Sequence, residues 1–199
     1  MTIQTPKPID ETALRQLFLD ARTHNGFLDT PVPEALLRQA VDLAKMGPTS
    51  VNQSPLRILF LRTPEAKERL RPALSAGNVE KTMLAPVVAI TAYDTKFADH
   101  LPFLFPAVDA RPWFAAEGVA KHSALVNGTL QVAYLILALR AVGLDAGPMT
   151  GFDAAKADAE FFPEGTVKSN VLINIGYGDS SKLYPRSPRF DFEQIVKFL

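Results

Sequence analysis

Apolar positions recur at helical spacing over residues 10–24, where Leu14, Leu17, Phe18 and Ala21 share a face and Asp10 is placed to cap it. A second stripe, Leu36, Leu37, Ala40, Val41 and Ala44, opens at Pro33 and stops at Gly47. Residues 57–61 read as a short strand, and Pro64 to about Leu74 as a charged amphipathic helix, with Asn78 capping another short one. Residues 86–93 are almost continuously apolar, the pattern of a strand buried on both faces. Residues 94–116 carry no period: Pro102, Pro106 and Pro112 fall among Phe97, Phe103, Phe105, Trp113 and Phe114. The longest helical pattern runs over 117–143, and its second half is apolar almost all round, broken by Gln131 and Arg140. A helix of that kind is buried on every side, in a core or at a dimer seam. Residues 167–175 form the last strong strand, before the Gly176-Tyr177-Gly178 turn and a basic, Pro-rich tail ending in a short helix near 191–198. Helices outnumber strands and separate them, so the class is α/β or α+β with a small central sheet.

Bulk properties narrow the function. The 199 residues fit one domain spanning 1–199, or one half of a compact dimer. Basic and acidic residues number 21 each, so charge makes no case for nucleic acid or an anionic membrane. Cysteine is absent, which excludes disulfides, thiolate catalysis, iron–sulfur clusters and Cys-based zinc sites. The apolar runs are too short or too interrupted to suggest a bilayer span. The N-terminal MTIQTPKPIDE has no apolar core of a signal peptide, so a cytoplasmic protein is expected.

The common catalytic signatures for nucleotides, nucleophilic serine and zinc are missing, and His24, His100 and His122 show no ligand spacing. A chain without an acid–base or nucleophilic set fits a cofactor that carries the chemistry. Residues 47–55, GPTSVNQSP, form an uncharged loop rich in hydroxyls and amides, suited to the edge of a flat heterocycle; alone it reads as a turn. Three further patches are equally ordinary alone. Arg22-Thr23-His24-Asn25 closes a helix, Asn78 and Lys81 share a helix face, and Gly147-Pro148-Met149-Thr150-Gly151 reads as a turn open to close approach. The tail around Arg186 and Arg189 suits a phosphate through an Arg fork.

In series these patches resemble the FMN-dependent nitroreductase family over nearly the whole chain. Its N-terminal Arg-Ser-x-Arg patch is similar to 22–25, its Pro-Ser-Ser-x-Asn-x-Gln-Pro loop to 48–55, its Asn-x-x-Lys to Asn78 and Lys81. Its Gly-Leu-Asp, Pro, Gly-Phe-Asp series is similar to 143–153, and its Pro-Arg tail to 184–188. The strings DARTHNG, KERLRPALS and KSNVLINIGYGDSSKLY most resemble the branch containing the malonic semialdehyde reductase of pyrimidine catabolism.

The resemblance implies a nitroreductase-like fold, with a small, mostly antiparallel central sheet flanked by helices and a long buried helix, in an intertwined homodimer with FMN at the interface. It implies ping-pong hydride transfer from NADH or NADPH, through flavin N5, to a small-molecule acceptor. Position by position, Arg22, Arg186 and Arg189 would hold the phosphate, Thr23 and Asn25 the ribityl chain. Pro48, Thr49, Ser50 and Asn52 would come from the partner subunit. Asn78 and Lys81 would face the pyrimidine edge, where a cation stabilises charge developing on reduction. Pro148, Met149, Thr150 and Gly151 would pass near N5. The chain departs from the family at Ala21, Ser54 and Thr150, where Arg, Gln and Glu are usual. A flavin-binding protein without reductase activity, and a helical interaction module, are the competing readings. The aromatic segment could cover the flavin or simply pack.

Overall fold

The computed structural model describes residues 7–199. Asp10 caps α1 (Glu11–Leu14), accepting from the Ala13 amide at 2.8 Å, and a π-helical turn, Arg15–Leu19, ends the segment. The first helix is therefore shorter than its apolar period: beyond Asp20 the backbone leaves the helix, and Thr23 bridges to Ala146 beside the sheet. Pro33 precedes α2 (Glu34–Ala44), and Thr63 caps α3 (Pro64–Leu70) through the Ala66 amide. Pro72 has no amide proton, and the chain tightens to a 3-10 turn over Arg71–Ala73 instead of continuing α3. α4 (Ala76–Leu84) starts at Ser75, so Asn78 lies inside the helix and is not its cap. The buried Lys67 ammonium donates to the Met83 and Ala85 carbonyls, both at 2.8 Å, closing the end of α4.

The irregular stretch resolves into short turns around α5 (Leu101–Leu104), and α6 (Glu117–Ala141) follows. Two elements lay outside the periodic reading. Asp153 caps α7 (Ala154–Phe161), and residues expected to turn form a strand that reaches Met149. α8 (Phe192–Ile195) opens with a capping box from Asp191 and Gln194.

The strands are β1 (Leu56–Leu61), β2 (Val87–Asp94), β3 (Asp145–Met149) and β4 (Val167–Gly176), in the order β1-β2-β4-β3 with every pairing antiparallel. Pro148 is tolerated in β3 because that strand is an edge. Every residue of β2 is buried, since both faces of the sheet are covered. Val87, Ala89, Ile173 and Ile175 face α2 and α6. Val88, Ile90, Ala92 and Leu172 face Leu70, Ala73, Ala157 and Phe162 on the other side. The result is three layers. By length and apolarity α6 could cross a membrane; here Val132, Leu135, Ala138 and Leu139 pack on α2 and the sheet, while Val119, Leu125, Val126 and Leu130 are exposed, so within one chain the helix is not buried on every side.

Candidate functional site

The segment after α1 runs beside β3, where the His24 amide donates to the Ala146 carbonyl at 3.2 Å. Close packing explains two glycines here. A Cβ on Gly147 would lie 2.3 Å from the His24 carbonyl oxygen, and one on Gly178 would lie 2.1 Å from His24 Nδ1. Asp145 supports the same ring, its carboxylate 3.4 Å from His24 Nε2 and accepting from the Gly178 amide at 2.8 Å.

Held this way, Arg22, Thr23 and Asn25 line a pocket of about 320 Å³ with Arg140, Arg186 and Arg189. The tail is tied down by its own arginine: Arg186 donates to the Leu19 and Ala21 carbonyls at 2.8 and 3.0 Å, while Arg22 donates to Tyr184. No carboxylate lines this pocket. Among the described residues none of its four arginines makes an ion pair. Burial, with the Arg186 charge, pushes the Arg140 pKa down while Asp145 opposes the shift; guanidinium remains cationic throughout. Four arginines without an ion-pair partner, in a pocket no carboxylate lines, form a site for an anion. A larger groove of about 450 Å³, between α2 and β1, lacks this property. Its charges are compensated, with Arg38 and Arg62 both on Glu34 and Asp42 on Lys45.

Lys81 Nζ lies 3.4 Å from Asn25 Oδ1, which joins the helix-borne cation to this corner. Asn78 Nδ2 donates to the Gly151 carbonyl at 2.8 Å, and the Ser75 amide donates to the same oxygen at 3.1 Å. A Cβ on Gly151 would sit 2.4 Å from Asn78 Nδ2, so the amide presses directly on that backbone. Of the four residues 148–151, Met149 turns inward against Thr82, and Thr150 is exposed. The structure thus brings Asn78, Lys81 and the end of β3 beside the arginine pocket.

The 47–55 loop is elsewhere. Its Ser50 amide donates to Asn127 Oδ1 at 2.8 Å, and the Leu56 amide donates to Gln131 Oε1 at 2.9 Å. Gln53, fully buried, donates to Ser123 Oγ at 2.9 Å, so it anchors the loop and offers nothing to a ligand. Asn52 donates to Leu104, Thr49 Oγ1 accepts from Ser54, and the exposed Pro48 carbonyl accepts from Tyr134. Val51, Asn52 and Ser54 have φ of 45°, 52° and 40°, a costly cluster without glycine, and such strain gathers at functional sites. Asn127 and Arg140 are separated by 13 helical residues, about 20 Å at 1.5 Å per residue. Within one chain, Thr49, Ser50 and Asn52 do not join the arginine pocket.

Two groups have roles that periodicity along the chain does not assign. Ser123, Asn127 and Gln131 fall at i, i+4 and i+8 on α6, and that polar row was visible as spacing. Arg140 was visible as a lone charge ending an apolar helix, but its role depends on a tail 46 positions later.

Fold and pocket define an α+β protein with an anion site beside the edge of an antiparallel sheet. A family model, the nitroreductase family, matches residues 19–177, and the chain belongs to that family. A Burkholderia lata protein provisionally named NADH dehydrogenase/NAD(P)H nitroreductase is 57% identical over 190 residues, covering 95% of this chain and 97% of the relative. The crystal structure of an Exiguobacterium sibiricum nitroreductase-type protein in complex with FMN has a TM-score of 0.84 at 21% identity, covering 98% of this chain and 100% of that one. A Staphylococcus epidermidis structure described as an NAD(P)H:FMN oxidoreductase has a TM-score of 0.83 at 18% identity, covering 98% and 99%.

Proposed function

We propose that this protein is an FMN-dependent oxidoreductase that takes hydride from NADH or NADPH and passes it to a small acceptor. The observation that carries the reading is the pocket of four arginines without a carboxylate, adjoining Asn25 and Lys81. The residues present fit FMN. The four arginines match a phosphate; Thr23 and Asn25 match ribityl hydroxyls. Bound FMN supplies two-electron hydride chemistry, in a ping-pong sequence with one half-reaction for the donor and one for the acceptor. The protein's part is binding and electrostatics. Lys81 would supply a cation to stabilise negative charge on the reduced flavin, and Asn78 holds the Gly151 backbone.

The second wall comes from a second copy of the chain. The loop is held on α6 from Tyr134 to Ser123, with the Ser50 amide at Asn127 about 20 Å along the helix from Arg140, and none of it lines the arginine pocket; Pro48, Thr49, Ser50 and Asn52 serve a partner's site in a homodimer. Exposed Phe18, Leu19, Met46 and Leu130 supply apolar surface for that association. The acceptor class we propose is a small aldehyde of the malonic semialdehyde type, with nitro compounds as additional acceptors.

The purified protein is expected to be yellow, and stopped-flow mixing with NADH or NADPH is expected to bleach its flavin rapidly. Reoxidation by an acceptor panel then ranks the substrates. Flavin that binds but is not bleached would make the protein a store or sensor. A colourless protein that takes up no added FMN would end the proposal.

A further inference from the structure

We infer that Arg140, which lines the same pocket as Ala21, is the residue that makes this site select a phosphorylated flavin over an unphosphorylated one. The inference rests on the FMN reading above and deepens it with a residue from a different element.

Arg140 ends the apolar half of α6 and lines the same pocket as Ala21, Arg22, Arg186 and Arg189. Its Nη1 donates to the Leu17 carbonyl at 2.9 Å, which fixes the guanidinium, while its Nε is buried with no hydrogen-bond partner. A cation near a helix C-terminus is favoured by the dipole, and an exposed lysine would satisfy that preference. The dipole does not account for a half-buried guanidinium held against the like charge of Arg186 with an unsatisfied donor. Asp145 offsets part of that charge from a distance, but its carboxylate is engaged by His24 and the Gly178 amide, makes no ion pair with Arg140 and does not line the pocket. An anion with several acceptor oxygens in this pocket offsets the crowding of like charge among Arg22, Arg140, Arg186 and Arg189. Ala21 contributes its carbonyl to Arg186 and only a methyl group to the wall. Ala21 brings no charge, so α6 adds the fourth cation to the pocket through Arg140.

The test compares FMN with riboflavin, which lacks the phosphate, by fluorescence titration of flavin-stripped full-length protein. Wild type, Arg140→Met and the double variant Ala21→Arg/Arg140→Met are measured. Arg140→Met is expected to weaken FMN binding roughly ten- to a hundredfold, with riboflavin affinity held within about twofold. Arginine supplied from position 21 is expected to recover most of the FMN preference. An unchanged ratio of the two affinities in Arg140→Met overturns the inference while leaving the flavin reading standing. Equal losses for both ligands also overturn it, making Arg140 only a staple for the Leu17 turn. If the double variant stays at the single variant's ratio, the link to Ala21 is wrong. Wild-type protein that binds neither flavin overturns the functional proposal and this inference together.

Discussion

The arginine corner and the 47–55 loop are both polar candidate walls, yet they are built by opposite means. The corner concentrates charge on side chains drawn from three places in the chain, Arg22, Arg140 and the tail arginines, and fixes them through carbonyl acceptors. The loop carries no charge. It stores its specificity in backbone shape, with three residues at positive φ held by the Ser123, Asn127 and Gln131 row. A charged wall tolerates movement because Coulomb attraction falls slowly with distance, whereas a neutral hydrogen-bonding wall needs a fixed shape. The pairing teaches where rigidity is spent.

The largest effect should come from forcing a methyl group into each wall. Gly147→Ala drives Cβ onto the His24 backbone oxygen, which cannot step aside, and is expected to cost about 3 kcal/mol or more. Gly47→Ala meets the Tyr134 ring at 2.0 Å; that ring is only half-buried and can swing, so about 1–2 kcal/mol is expected. Urea denaturation of both variants checks the ranking, and equal costs would show that the Tyr134 ring cannot move aside.

Lys81→Ala probes the charged side. Flavin reduction by NADH is expected to slow on the order of a hundredfold in stopped flow, with FMN affinity changed only a few-fold. Loss of affinity without loss of rate would move Lys81 from tuning to simple binding.

Asn127→Ala probes the loop's lock. It leaves the Ser50 amide without its acceptor, and a stability loss of about 1–2 kcal/mol is expected, with faster amide exchange over 48–54. Exchange unchanged in that segment would mean the strained backbone holds itself.

The smallest effect lies outside both walls and serves as their control. Arg111 beside Asp109 holds that exposed carboxyl down to about 2, from an ordinary 3.8. Because the folded pKa is the lower one, its small stabilisation is present above about pH 4 and is lost as pH falls through about 2. Carboxyl chemical shifts followed by NMR should place the midpoint there. A midpoint at the ordinary value would show the Asp109–Arg111 turn to be open in solution.

Much of this was legible in the chain itself. The double-sided burial of β2 follows from its apolar run, and the core helix from its period. The caps at Asp10 and the stop at Gly47 are chemical statements in one or two residues. The misses have physical causes. The first helix ends early because its chain is needed beside β3, and Asn78 yields the cap to Ser75 because its side chain is spent on Gly151. β3 reads as a turn because Gly147 and Pro148 are poor strand formers, and only the β4 partner and the edge position make them a strand. α7 is short and weakly amphipathic, and its packing on the sheet carries it.

By itself the sequence determined the elements with strong periodicity, the absence of thiol chemistry and a series of polar patches in family order. Those properties are local, set by neighbours three or four positions away or by composition. The tertiary structure decided which patches meet. It gathered Arg22, Arg140 and Arg186 from separated segments into one carboxylate-free pocket and placed the 47–55 loop against the middle of the same helix. It also turned Gln53 inward. Convergence of charge from distant segments is a long-range property, fixed only when the core packs, and no period along the chain encodes it.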